Sequence, residues 1–135
     1  MTKYLGLDIG TVRVGVSITD ASGSIAFPMS TFPFDDAIDE ISKVIEIEDI
    51  DQIVVGIPFN LSGKSGKSVE LVESFLTKLL LDKPQVTVHK VDERFSTSIA
   101  ENQLKSTNRS PSKSRSIIDQ LAAVNILQTF LDSKR

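Results

Sequence analysis

Apolar and polar positions alternate along the first twenty residues with the period of an extended chain. Leu5, Leu7 and Ile9 share one side of a segment over residues 3–9, and Val14, Val16 and Ile18 share one side of a second over residues 12–19. Gly10 and Thr11 between them signal a hairpin. The other sides carry Gly6 and Asp8 in the first segment, and Arg13, Gly15 and Ser17 in the second. A sheet face stripped of bulk has room for a ligand or a close-packed helix, and Asp8 lies on it. A turn at Ala21 to Gly23, with Asp20 as a turn residue or a support for the acid site, leads to a third strand around Ser24 to Thr31.

The period then changes. Ile38, Ile41, Val44 and Ile45 recur at helical spacing, with Asp35 or Asp36 as the cap. Gln52 to Ile57 reads as a strand buried on both faces. Val69, Val72, Phe75, Leu76, Leu79 and Leu80 mark a second helix that ends before Pro84. Val86 to Val91 is a short strand. Ser98 and Glu101 have capping-box spacing for a helix to about Leu104, and a polar loop from Lys105 to Ser116 precedes a final helix to about Leu131. This order, βββαβαβαα, predicts one α/β domain: a mixed five-stranded sheet, three antiparallel strands extended by parallel crossover strands and flanked by helices.

Composition narrows the chemistry. The chain has 135 residues, no cysteine and one histidine, so zinc-thiolate sites, disulfides and cysteine nucleophiles are excluded. Any metal must rest on oxygen ligands. No apolar run approaches the roughly 20 residues that a membrane span needs, and the start lacks a signal-peptide pattern, so a cytoplasmic location is expected. The net charge of −3 does not advertise a nucleic-acid binder, although a local basic patch can hide inside it.

Three carboxylates occupy unusual settings. Asp8 is inside a strand, where propensity and burial both disfavour it. Glu93 follows the strand Val86–Val91, where a parallel strand presents its carboxyl end to a ligand crevice. Asp119 has Ala122, Ala123 and Ile126 as same-face neighbours, which places it on an inward, close-packing surface. Convergent acids repel unless cations neutralise them, and Mg²⁺ suits such a donor set. A pair of such ions about 4 Å apart can drive phosphodiester hydrolysis. Each acid also has an ordinary alternative: a cap or a partner of Arg94 for Asp92 or Glu93, a helix-surface acid for Asp119. His89, alone in a strand, reads as a packed or surface residue.

The blocks LGLDIGTVRVGVSITD, GIPFNLSGKSGKS, DERFSTSIAENQL and IIDQLAAVNILQTFL, in this order, resemble the YqgF-type (RuvX) family. That family has the RNase H-like fold and is described as pre-16S rRNA nucleases or Holliday-junction resolvases. The resemblance implies that Asp8, Glu93 and Asp119 are the metal-binding catalytic acids, with Mg²⁺ or Mn²⁺ as cofactor. It also implies a nucleic-acid partner, precursor rRNA or branched DNA, with the ribosome as a further candidate; a monomer and a homodimer are both compatible. Nuclease activity in ribosome biogenesis ranks first, and junction cleavage in DNA recombination second.

The remaining motif residues take physical roles as expectations. Arg13 and Arg94 either contact substrate phosphate or hold an acid in place; Ser96 and Thr97 read as helix caps. Gly63 and Gly66 let backbone amides approach a phosphate, and Lys64 and Lys67 add charge. Gly66-Lys67-Ser68 fails the Walker A spacing, because Leu61 stands where the first glycine belongs. The basic segment KSTNRSPSKSR supplies Arg109, Lys113 and Arg115, either to a solvated loop or to a nucleic-acid backbone. Two other classes are weaker. The first block is also similar to the first phosphate motif of actin-like ATPases, which need two lobes where this chain has room for one. A non-catalytic binding module is disfavoured by intact acids at all three positions.

Overall fold

The computed structural model describes residues 2–57, 66–92 and 111–134, the first four of the last segment by backbone alone. Strands β1 (Tyr4–Ile9), β2 (Arg13–Thr19) and β3 (Ala26–Pro33) lead into helix α1 (Phe34–Ile47). Then follow β4 (Gln52–Ile57), α2 (Lys67–Asp82), β5 (Thr87–Asp92) and the long α3 (Pro111–Ser133). The strands form one sheet in the order β3-β2-β1-β4-β5. β1 pairs antiparallel with β2, and β2 with β3, whereas β4 runs parallel to both β1 and β5. The mixed sheet anticipated from the hydrophobic period is therefore the one observed.

Alternation decides which face each helix covers. Leu5, Leu7, Val14, Val16, Ile53, Val55 and Ile57 point to one face, where Ile41, Val44 and Ile45 of α1 and Val72, Phe75 and Leu79 of α2 close a core. Burying each such side chain contributes about 1.5–3 kcal/mol. Tyr4, Ala26 and Val54 point to the other face, against Ile126, Leu127 and Leu131 of α3. β4 is buried on both faces, as its unbroken apolar run requires.

α3 lies across the antiparallel half of the sheet and runs opposite to β1. It comes unusually close because two glycines leave a trough. A Cβ on Gly6 would stand 2.8 Å from the Leu127 Cβ and 2.9 Å from the Ala123 carbonyl oxygen. A Cβ on Gly15 would overlap the Asp119 carbonyl and stand 2.9 Å from the Asp119 Cβ. Ala122 and Ala123 are the matching small residues on the helix, and both are fully buried. The face read from sequence as stripped of bulk is thus a seat for a helix.

Three expectations need correction. Neither Asp35 nor Asp36 caps α1: Pro33 is the N-cap, without a side-chain hydrogen bond, and both acids lie in the first turn. α1 follows β3 without a loop, and the Phe34 amide, one of the helix's N-terminal donors without an intrahelical partner, donates to the Val12 carbonyl at 2.9 Å. The acids still favour the positive end of the helix dipole. Second, α3 begins at Pro111, so Pro111–Ser116 is helix rather than loop. Proline is well placed in a first turn, where its missing N–H has no intrahelical partner to lose. Third, β3 is displaced to Ala26–Pro33 because Asp20, not the strand, takes Ser24 and Ile25: its carboxylate accepts both amides. The helix expected from Ser98 to Leu104 lies outside the described residues, as do Ser96 and Thr97.

Candidate active site

Asp8 pairs with Gly15 in the β1–β2 ladder, so both point to the face covered by α3. Gly15 is where Asp119 rests on the sheet. The two acids, far apart in sequence, therefore both lie beside one glycine. A larger residue at 15 would hold the helix off and separate them. Both are half-buried rather than solvated.

Arg13 lies two residues before Gly15 on the same face of β2, and its Nε donates to Asp119 Oδ2 at 2.7 Å. Of the two roles read for Arg13, this contact is the supporting one, and the acid it holds is Asp119. The charge-assisted bond orients the carboxylate where α3 crosses β2. One turn further on, the Ser17 hydroxyl donates to the Ala123 carbonyl at 2.7 Å in a fully buried contact. The sequence places Gly15 and Ser17 on the open face but does not reveal this role; the signal for it is the small residues of β2 matched by Ala122 and Ala123.

The other predicted residues separate into three groups. Lys67 is the first residue of α2, exposed, directly after the N-cap Gly66. Arg115 is exposed and stands four residues before Asp119 on α3, on the same helical stripe. Lys113 lies in the first turn of that helix. Gly63, Lys64, Glu93, Arg94 and Arg109 lie outside the described residues; the described part of β5 ends at Asp92, one position short of Glu93. Among the described residues no group of three histidine, aspartate or glutamate side chains gathers.

Asp20 and His89 fall away from the acids. Asp20 sits past the opposite end of β2 from Arg13, where the Ser24 amide, then the Ser22 hydroxyl, hold its carboxyl below the usual carboxylate range. It is a turn staple. His89 packs against Phe130, with ring centroids 4.6 Å apart, and against Tyr4, and shares a 2.6 Å hydrogen bond with Gln52 Oε1. Burial, and secondarily the Lys134 ammonium, push its pKa below the ordinary value.

A pH dependence follows from His89. The unfolded chain takes up a proton near pH 6.5, before the folded chain does. The stabilising contribution of the neutral ring is therefore complete above that pH and is lost as pH falls through the folded value. Because the chain has one histidine, its imidazole signal in a proton NMR titration is unambiguous. The native midpoint is expected below the midpoint in urea, and a native midpoint at or above it refutes the packing argument.

Residues 2–133 match the family model described as RuvX: Holliday junction resolvase. The chain belongs to the RuvX family. A family relative from Fusobacterium nucleatum is 38% identical, and the match covers 100% of both chains. One from Bacillus thuringiensis is 41% identical over 98% of this chain and 99% of its own. Both carry, provisionally, the name pre-16S rRNA nuclease. Among solved structures, Thermus thermophilus RuvC in complex with a Holliday junction substrate aligns over 99% of this chain and 96% of its own. The TM-score is 0.61 at 12% identity, a likeness that carries the RNase H-like fold. A second structure of T. thermophilus RuvC gives a TM-score of 0.60 at 11% identity.

Proposed function

We propose that this RuvX-family protein is a metal-dependent nuclease that hydrolyses phosphodiester bonds in structured nucleic acid. Its substrate is precursor 16S rRNA, processed at the 5′ end during ribosome biogenesis in the cytoplasm. The observation that carries the proposal is the placement of Asp8 and Asp119 beside the same glycine, Gly15. Arg13 offsets part of the charge on Asp119, and a bound cation would offset the repulsion that remains between two half-buried carboxylates placed near each other.

The donor set fits such an ion. With no thiol in the chain and the lone histidine engaged elsewhere, the available ligands are carboxylate oxygens, which suit Mg²⁺ or Mn²⁺. Asp8 and Asp119 would hold it, with Glu93 as the third ligand that the family resemblance implies. When bound, the ion supplies water activation at neutral pH and stabilises charge on the leaving oxygen. The chain's own residues do the rest. Arg13 holds Asp119 in orientation, Glu93 would orient the attacking water, as the family resemblance implies, and α3 covers the sheet side of the pair.

Charge supports an approach of substrate from the α3 side. α1, on the opposite face, carries Asp35, Asp36, Asp39, Glu40 and Glu46 against the single base Lys43, so that helix repels phosphate. Lys113 and Arg115 lie on the turns of α3 that lead to Asp119. We assign them, with Arg109, Arg94, Lys64 and Lys67, to phosphate contact. Neutralising Arg109, Lys113 and Arg115 together is expected to weaken binding and to lower the slope of log affinity against log salt by roughly 0.7–0.9 for each contact removed. An unchanged slope rules this assignment out.

A second reading has its own support. The family model's description names Holliday junction resolvase, and the fold match is to RuvC solved with that substrate. The test sets a precursor 16S rRNA fragment beside a four-way DNA junction, each with Mg²⁺ or Mn²⁺, and compares single-turnover rates. Faster cutting of the RNA supports the first reading and faster cutting of the junction the second. Failure to cut either, by folded protein that binds metal, overturns both.

A further inference from the structure

Thr31 was not singled out by any motif, yet its position relates it to both acids. In the β2–β3 ladder Thr31 pairs with Gly15, and Gly15 pairs with Asp8. One rung of the sheet therefore reads Asp8, Gly15, Thr31, all three directed to the α3 face. The middle position is the seat of Asp119, and Thr31 flanks that seat on the side away from Asp8.

Its hydroxyl is used twice. Thr31 Oγ1 donates to the Ser116 carbonyl at 2.9 Å and accepts from Gln120 Nε2 at 3.2 Å. Ser116 and Gln120 are one helical turn apart, and Asp119 lies between them. A single hydroxyl thus grips the turn that carries the acid, on the side opposite Asp8. The Ser116 carbonyl is inside the helix, where the i+4 amide already serves it, so this bond is not needed to complete the backbone. Helix stability gives no reason for it.

We propose that Thr31 is a positioning residue for Asp119: it sets where along the trough the Asp119 turn stops. The trough of glycine and alanine has little apolar relief of its own, so side-chain interlocking leaves the axial setting of α3 loosely determined at that end. Ser17 supplies the corresponding stop at Ala123, one turn later. Arg13 orients the carboxylate, and Thr31 sets the backbone beneath it. The inference rests on the proposed reading of Asp8 and Asp119 as partners in metal binding.

The test compares wild type, Thr31→Val and Thr31→Ser. Valine keeps the shape and β propensity and removes the hydroxyl; serine keeps the hydroxyl. Four quantities are read: the melting temperature, the dissociation constant for Mn²⁺ without nucleic acid, the affinity for nucleic acid, and the single-turnover cleavage rate at saturating metal and substrate. Thr31→Val is expected to weaken Mn²⁺ binding or slow cleavage by about 10–100-fold, the scale for groups that orient metal ligands. Its affinity for nucleic acid should stay within about twofold of wild type, and Thr31→Ser should recover most of the loss. A merely structural role would lower the melting temperature and leave folded Thr31→Val with wild-type rate and Mn²⁺ affinity, which overturns the proposal. So does a loss that serine does not restore. If wild type binds Mn²⁺ but cuts nothing, the nuclease reading fails while the Mn²⁺ comparison still judges Thr31. If wild type does not bind Mn²⁺, both fall.

Discussion

Asp8→Asn is expected to abolish metal-dependent cleavage while leaving a folded protein. Asparagine keeps the size and hydrogen-bonding outline of the side chain but removes the charge beside Gly15, where Asp119 also rests. The rate should fall on the order of 10²–10³-fold, the scale seen when one preorganised charge-stabilising group is lost from an active site. Stability should move the other way. Without bound metal, two nearby carboxylates repel, so the variant should melt at the same temperature as wild type or slightly above it. With Mn²⁺ present the order should reverse, because ligand binding stabilises only the chain that binds it. The check is a pair of melting curves, with and without Mn²⁺, beside single-turnover rates on the better substrate. A variant that cuts within tenfold of wild type would remove Asp8 from the chemistry.

Gly15→Ala is expected to be the most damaging single-methyl change in the sheet. The added Cβ would overlap the Asp119 carbonyl, which is backbone and has no rotamer through which to escape. α3 must lift or slide. Overpacking of this kind costs about 1–3 kcal/mol, or a melting temperature lower by roughly 3–12 °C for a domain of this size. The damage should not stop at stability, because the displaced residue is Asp119. At temperatures where Gly15→Ala remains folded, cleavage should still be reduced at least tenfold, since small misplacement of a catalytic group is severe. Far-UV circular dichroism separates unfolding from misplacement. Wild-type melting and wild-type rate together would show that the trough can yield and that contact at Gly15 does not set the site.

The two predictions differ in what they disturb. Asp8→Asn changes charge with geometry held; Gly15→Ala changes geometry with all charges kept. If cleavage depends on two carboxylates at a set separation, both must fail, and without metal only Gly15→Ala should melt below wild type.

The legible and illegible parts of the molecule divide along a physical line. Leu5, Leu7 and Ile9 beside Val14, Val16 and Ile18 identify the first two strands, because side chains alternate across a sheet and one face must be apolar. Ala122, Ala123 and Ile126 identify the inward stripe of the last helix in the same way, and the structure buries all three. Element ends were less legible. The start of α1 was decided by Val12, more than twenty residues before it, whose carbonyl accepts the Phe34 amide. Pro111 reads as loop in a polar run unless its fitness for a first helical turn is weighed more heavily. Four sequence blocks point to the family, and the family comparison over residues 2–133 agrees.

The sequence by itself determined the order of the described strands and helices, the family and the unusual placement of Asp8, because each depends on residues close together in the chain or on motifs within it. Only the tertiary structure decided that Arg13 holds Asp119, a contact spanning 106 positions, and that Thr31 shares a rung with Asp8. Those facts depend on ladder register and on how far a helix can sink between two glycines. Neither is a property of any local stretch; both arise from close packing between surfaces that the chain brings together only when folded.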